Sequence, residues 1–118
     1  MMSALPFLSH GENQAPFAIH TLHRVLKDVF QLNYFKPMQL EIIQAILNNQ
    51  HVFVQLRPGS GKSICYQLPA LLSEGTTIVI SPLIALMHDQ VLALQKKKIN
   101  CMLKLLLIFI FIFTFFDR

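Results

Sequence analysis

Cysteine is scarce in this chain, and the two present, Cys65 and Cys101, are too few and too oddly spaced to frame disulfides or hold zinc. Both read as ordinary thiols. Acidic residues are also few: six Asp+Glu against ten Lys+Arg leave a net charge of +4. That mild basic excess permits a nucleic-acid partner without requiring one. The five histidines show no metal-ligand spacing; His20 and His23 share a helix face but have no partners for a metal. The first residues lack the basic start of a secretory signal, and Pro6 and Ser9 interrupt the apolar patch of Leu5, Phe7 and Leu8. A reducing, intracellular setting is expected. At 118 residues the chain has room for one small domain at most. Its apolar share, 53%, is high for a soluble domain, and much of the excess gathers from Leu103 onward.

What is present centres on Arg57-Pro58-Gly59-Ser60-Gly61-Lys62-Ser63. An apolar run, Val52 to Leu56, precedes it and Ile64 to Leu68 follows, which is the order strand, glycine-rich turn, helix. Gly59 and Gly61 allow backbone angles that a Cβ forbids, so successive N–H groups can curl around a phosphate. The helix adds its unpaired N-terminal donors and the positive end of its dipole. Lys62 is placed to reach the β- and γ-phosphates, and the Ser63 hydroxyl to bind Mg²⁺. The generic phosphate-loop formula has Gly five residues before Gly61, where this chain has Leu56. On the loop alone, an accidental Gly-Lys-Ser at a strand-to-helix turn is the competing reading.

Residues 1–18, with Pro6, Gly11, Asn13 and Pro16, read as a flexible lead-in. Ile19, Leu22, Val25, Leu26, Val29 and Phe30 recur at helical spacing, and Asn33 and Pro37 mark a turn. A second helix is expected from Met38 to about Leu47, with Ile42, Ile43, Ile46 and Leu47 inward and Asn48-Asn49 stopping it. Pro69 is expected to end or kink the helix after the loop near Leu68. Thr76 to Ile80 reads as a β-branched strand buried on both faces. Ser81 suits a helix N-cap and Pro82 the first helical position. Leu83, Met87, Val91 and Leu94 are its predicted buried face. Lys96, Lys97 and Lys98 suit the last turn of that helix, as a solvated end rather than a DNA patch. The repeated strand–helix order predicts an α/β fold of three layers, with parallel strands and crossover helices. A nucleotide then belongs at the carboxyl end of the first strand.

Three segments together resemble the start of a RecQ-type ATP-dependent DNA helicase of superfamily 2. Phe35-Lys36-Pro37-Met38-Gln39-Leu40-Glu41 is similar to that family's motif 0. Gly59 to Ala70, with its Cys65-Tyr66-Gln67-Leu68-Pro69 extension, is similar to motif I, and Ile80 to Val91 to motif Ia. The resemblance covers roughly Leu22 to Ile99 and implies an incomplete RecA-like motor domain over residues 19–100. It also implies ATP with Mg²⁺, and DNA, single-stranded or duplex with a single-stranded tail, as partner in the complete protein. The implied activity is 3′-to-5′ strand separation in recombination and repair, in the nucleus if the source is eukaryotic. The nucleotide-contacting set it implies is Lys36, Gln39, Gly59, Ser60, Gly61, Lys62 and Ser63, with Ser81, Asp89 and Gln90 beside the DNA path; His88 is expected to be exposed and idle. Gln39 fits adenine chemically, because a carboxamide both donates and accepts; the competing reading is a solvent-facing helix residue. The chain departs from the family at Arg57-Pro58, where Pro-Thr is usual, at Lys36 for Arg, and at Gln31 for Gly. Lys keeps the charge but lacks the flat guanidinium that could stack on a base.

The resemblance also implies parts this sequence does not contain: an Asp-Glu-Ala-His-like segment for Mg²⁺ and water, and a second motor domain with an arginine finger. Residues 101–118 do not resemble the family. Leu103 to Phe116 is nearly all apolar but short of the roughly 20 residues of a membrane span. The preferred expectation is a truncated helicase domain that binds ATP without turning it over, its apolar tail unable to pair in a fixed register. The alternatives are a non-catalytic ATP-binding module and a tail-anchored membrane protein with a nucleotide-binding head.

Overall fold

The computed structural model describes residues 3–6, 17–81, 83–99, 101–105 and 111–115. Helices and strands are interspersed along the chain, giving the α/β class expected from the sequence. The chain forms two compact units, Met1–Leu72 and Ser73–Arg118.

The first unit contains β1 (Ser3–Pro6), α1 (Ile19–Asp28), α2 (Gln39–Leu47), β2 (Val52–Gln55) and α3 (Lys62–Leu72). On α1 the predicted stripe is inward at Leu22 and Leu26, and Phe30 just beyond the helix is buried too, whereas Ile19, in the first turn, is exposed. Gln31 then takes a left-handed φ of 58° and its N–H donates to the Lys27 carbonyl at 3.1 Å. This is the usual stop that turns a chain off a helix, and it favours Gly. Gln31 stands at the position where the sequence resemblance expects Gly, so the departure falls on a position with a backbone cost. Asn48-Asn49 stops α2 as expected: Asn49 is left-handed at 58°, and Gln50 N–H reaches the Ala45 carbonyl at 3.0 Å. The core beneath the loop joins Ile42 of α2, Leu56 and Cys65 of α3, with Met38, Ile46, Val52 and Val54 packed against it. Leu56 thus serves the core, and the loop proper begins at Arg57.

Pro69 does not end α3, which runs on to Leu72. Its ring removes one helical hydrogen bond, but Leu68 and Pro69 are both fully buried, and that packing offsets the loss.

The second unit contains β3 (Thr77–Ser81), α4 (Ile84–Lys96), β4 (Cys101–Leu105) and β5 (Phe111–Phe115). Met87, Val91 and Leu94 of α4 are buried as predicted, while Leu83 is exposed. The helix closes on Lys98, left-handed at 61°, with Lys98 N–H on the Gln95 carbonyl and Ile99 N–H on the Leu94 carbonyl at 3.1 Å. Leu94 and Ile99 are both buried, the apolar pair that accompanies this kind of helix end. The three lysines lie on its exposed face.

Further expectations about the strands need correction. The sheets are antiparallel: β1 pairs β2 with Ser3 opposite Gln55, and β5 lies between β3 and β4. Among the described residues no parallel pair forms, because each strand finds an extended neighbour that needs no crossover helix. Part of the lead-in is strand β1, and residues 7–16 lie outside the described residues. The apolar tail does pair in register, Thr77 opposite Phe115 and Ser81 opposite Phe111, since β5 has a partner on each edge and Ile/Phe runs favour strands. Finally, β3 is not buried on both faces: Ile78 and Ile80 are 59% and 65% exposed, on the side opposite Val79. No helix among the described residues is long and apolar enough to cross a membrane.

Candidate nucleotide-binding site

The site lies within the first unit, where β2 delivers the chain to a tight turn. Ser60 N–H donates to the Arg57 carbonyl at 3.1 Å, and α3 begins at Lys62. Gly59 and Gly61 have φ of +79° and +77°, the left-handed values that the loop reading requires of them. Space around Gly59 is open, whereas a Cβ on Gly61 would run into the Gln39 side-chain nitrogen. Lys62 is exposed and Ser63 half-buried in the first turn of α3, where the helix dipole favours an anion.

The solvent-facing reading of Gln39 does not hold, because the residue is 1% exposed. Met38, left-handed at 72°, turns the chain into α2 and leaves Gln39 as its first residue. The Gln39 Oε1 accepts the Lys36 backbone N–H at 2.8 Å, and Nε2 donates to the Gly61 carbonyl at 2.9 Å. These two partners fix which end of the carboxamide is which. Each end retains capacity, one N–H on Nε2 and one lone pair on Oε1. Lys36 sends its own ammonium to the Gly59 carbonyl at 2.9 Å. One turn of chain, Lys36 to Gln39, therefore holds the loop at two carbonyls.

Beside this junction is a hollow of about 280 Å³, lined among others by Leu32, Tyr34, Lys36, Gln39, Gly61 and Ile64. The sequence reading missed Leu32, Tyr34 and Ile64. Tyr34 carried a signal, an aromatic inside the Asn33–Pro37 turn, and it is 76% exposed. Phe35 is edge-on to His23 of α1, ring centroids 4.9 Å apart, which ties the hollow's wall to the first helix.

Cys65, one turn into α3, directs its thiol at the Gly61 carbonyl, 3.8 Å away. Burial pushes its pKa up from 9.0 to about 11, so it stays a neutral thiol and is a poor nucleophile. Among the described residues no group of His, Cys, Asp or Glu could hold a metal by itself.

The structure brings Lys36, Gln39, Gly59, Ser60, Gly61, Lys62 and Ser63 to one place. Ser81, Asp89 and Gln90 belong to the second unit. Ser81 is not the N-cap of α4; it is the last residue of β3, and its Oγ accepts the Leu83 N–H at 3.3 Å, a turn ahead of a helix that starts at Ile84. Pro82 lies outside the described residues. Asp89 is exposed and Gln90 half-buried on α4, and His88 is exposed as expected.

A family profile described as DEAD/DEAH box helicase matches residues 36–110. The chain belongs to the DEAD/DEAH box helicase family. Within it, the relatives are of RecQ type, as the three motifs indicate. ATP-dependent DNA helicase Q1 of Rattus norvegicus is 51% identical over 76 residues, covering 64% of this chain and 12% of that protein. ATP-dependent helicase SGS1 of Saccharomyces cerevisiae is 51% identical over 89 residues, 72% of this chain and 6% of its own length. ATP-dependent DNA helicase RecQ of Haemophilus influenzae is 53% identical over 76 residues, 64% and 12%. The matched region of the chain therefore spans about an eighth or less of the length of these relatives. The family match runs past Asn100, where the sequence resemblance was read as ending.

Proposed function

We propose that this chain is the ATP-binding part of a RecQ-type DNA helicase, a RecA-like motor segment that grips ATP between the Lys36–Gln39 turn and the phosphate loop. The observation that carries this is the Gln39 carboxamide, buried at the edge of the hollow with one donor and one acceptor position left over. Adenine presents an amino donor beside a ring-nitrogen acceptor, the complement of that pair; guanine offers two acceptors on the corresponding edge. The phosphates then run along the loop to the start of α3, with Lys62 as the main charge contact. When bound with ATP, Mg²⁺ would neutralise phosphate charge, and the Ser63 hydroxyl would be its protein ligand.

Hydrolysis needs more than a cradle: an acid to hold the metal and orient water, and a cation opposite the γ-phosphate. The proposed behaviour of the chain by itself is nucleotide binding with little turnover. In the complete helicase, by the names of its relatives, ATP use drives action on DNA. The 3′-to-5′ polarity, the role in recombination and repair, an intracellular site of action and DNA-side contacts from Ser81, Asp89 and Gln90 are parts of this reading.

The test is nucleotide selectivity. Gln39→Ala removes the pairing edge, worth about 1–3 kcal/mol when polar groups are left unmatched, and is expected to weaken ATP and bring its affinity close to that for GTP. Equal affinity of the unmodified chain for ATP and GTP would sink the adenine role.

A further inference from the structure

We propose that Lys36 is a positioning residue for the phosphate loop, holding it in its receiving shape, and that it does not read the base. This deepens the nucleotide-binding reading and rests on it. The ammonium of Lys36 donates to the Gly59 carbonyl at 2.9 Å. Gly59 is the loop residue most in need of an outside hold: it is left-handed, and nothing lies within 4 Å of the position its Cβ would take. Packing on that side therefore does not shape it, and glycine loses more backbone freedom on ordering than any other residue.

The next peptide group is fixed from both sides. Its carbonyl oxygen is held by Lys36 and its N–H, that of Ser60, by the Arg57 carbonyl at 3.1 Å. A trans peptide is planar, with C=O and N–H pointing in opposite directions, so these two bonds together set the direction in which that peptide points. The same reasoning applies two peptides further on, at the Gly61–Lys62 link. Gln39 holds the Gly61 carbonyl, which turns the Lys62 N–H away from Gln39 at the very start of α3. Lys36 and Gln39 thus orient alternate peptides of the loop before any phosphate arrives.

An ammonium committed to Gly59 is a point donor at the phosphate end of the hollow, without the flat face a guanidinium could lay on a base. Its loss is felt by every ligand that uses the loop, whatever base the ligand carries.

The experiment titrates the full chain, with Mg²⁺, against ATP, GTP and inorganic tripolyphosphate, which has no base at all. Lys36→Met is expected to weaken all three by the same factor, roughly fivefold for one charge-assisted hydrogen bond lost at an exposed site. Lys36→Arg, which can still donate to the Gly59 carbonyl, is expected to recover most of that loss. A Lys36→Met chain weakened for ATP alone, with tripolyphosphate unchanged, makes Lys36 a base contact and overturns the proposal. So does unchanged binding of all three ligands. If the unmodified chain binds neither ATP nor tripolyphosphate, the nucleotide-binding reading falls and takes this proposal with it.

Discussion

Gln39 and Gly61 meet where the hollow joins the phosphate loop, the Nε2 of the one donating to the carbonyl of the other at 2.9 Å. The contact links residues 22 positions apart and explains two sequence features together. Gly61 has no side chain partly because Gln39 occupies that space, and Gln39 is buried because the loop closes over it.

Gly61→Ala tests this directly. The new Cβ collides with the Gln39 nitrogen, and the φ of +77° is strained for any L side chain. The expected cost is about 1–3 kcal/mol in stability, read from denaturant unfolding, together with lost ATP binding. Gly59→Ala meets open space and is expected to incur the backbone term alone. Equal losses for the two variants would contradict the contact.

The left-handed helix ends make a second prediction. Gln31 and Lys98 carry side chains at positions that glycine occupies at lower cost. Gln31→Gly and Lys98→Gly are each expected to raise stability by about 0.5–1 kcal/mol, the left-handed penalty less the extra entropy of an unfolded glycine. Asn49→Gly is expected to gain less, because Asn already tolerates this conformation.

The alkaline limb of stability reports on Cys65. Between pH 9.0 and about 11 the unfolded thiol gives up its proton while the buried one keeps it, so the folded state binds more protons in that window. Stability from this group is complete below pH 9.0 and falls as pH rises towards about 11. The decline is expected to be shallower in Cys65→Ala than in the unmodified chain, measured by unfolding at matched pH values. In the folded protein, Cys65 is also expected to resist thiol reagents until the chain unfolds.

Local chemistry was legible in the sequence; pairing was not. The order β2, loop, α3 followed from Val52–Leu56 and the Gly-Ser-Gly-Lys-Ser run, because glycine, charge and apolar spacing act within a few residues. The inward faces of α1, α2 and α4 followed from helical spacing for the same reason. Which strand lies beside β2 or β3 depends on residues far along the chain, and a β-branched run such as Thr77–Ser81 accepts neighbours of either direction. The parallel sheet was inferred from connection rules, and the structure instead pairs β2 with β1 and β3 with β5. The site was legible in its residue types but not in its contacts. Nothing in Phe35-Lys36-Pro37-Met38-Gln39 announces that Lys36 reaches Gly59, or that Met38 must turn left-handed to bury Gln39.

The measurement that bears most directly on the central claim is ATP affinity of the full chain with and without Lys62→Ala, by calorimetric titration in Mg²⁺. Lys62 is the first residue of α3, exposed at the end of the loop, and its charge faces bound phosphate in this account. The expected result is saturable binding of ATP by the unmodified chain and its loss in Lys62→Ala, with the fold of both intact by circular dichroism. Equal ATP affinity in the two proteins, or none in either, would contradict it.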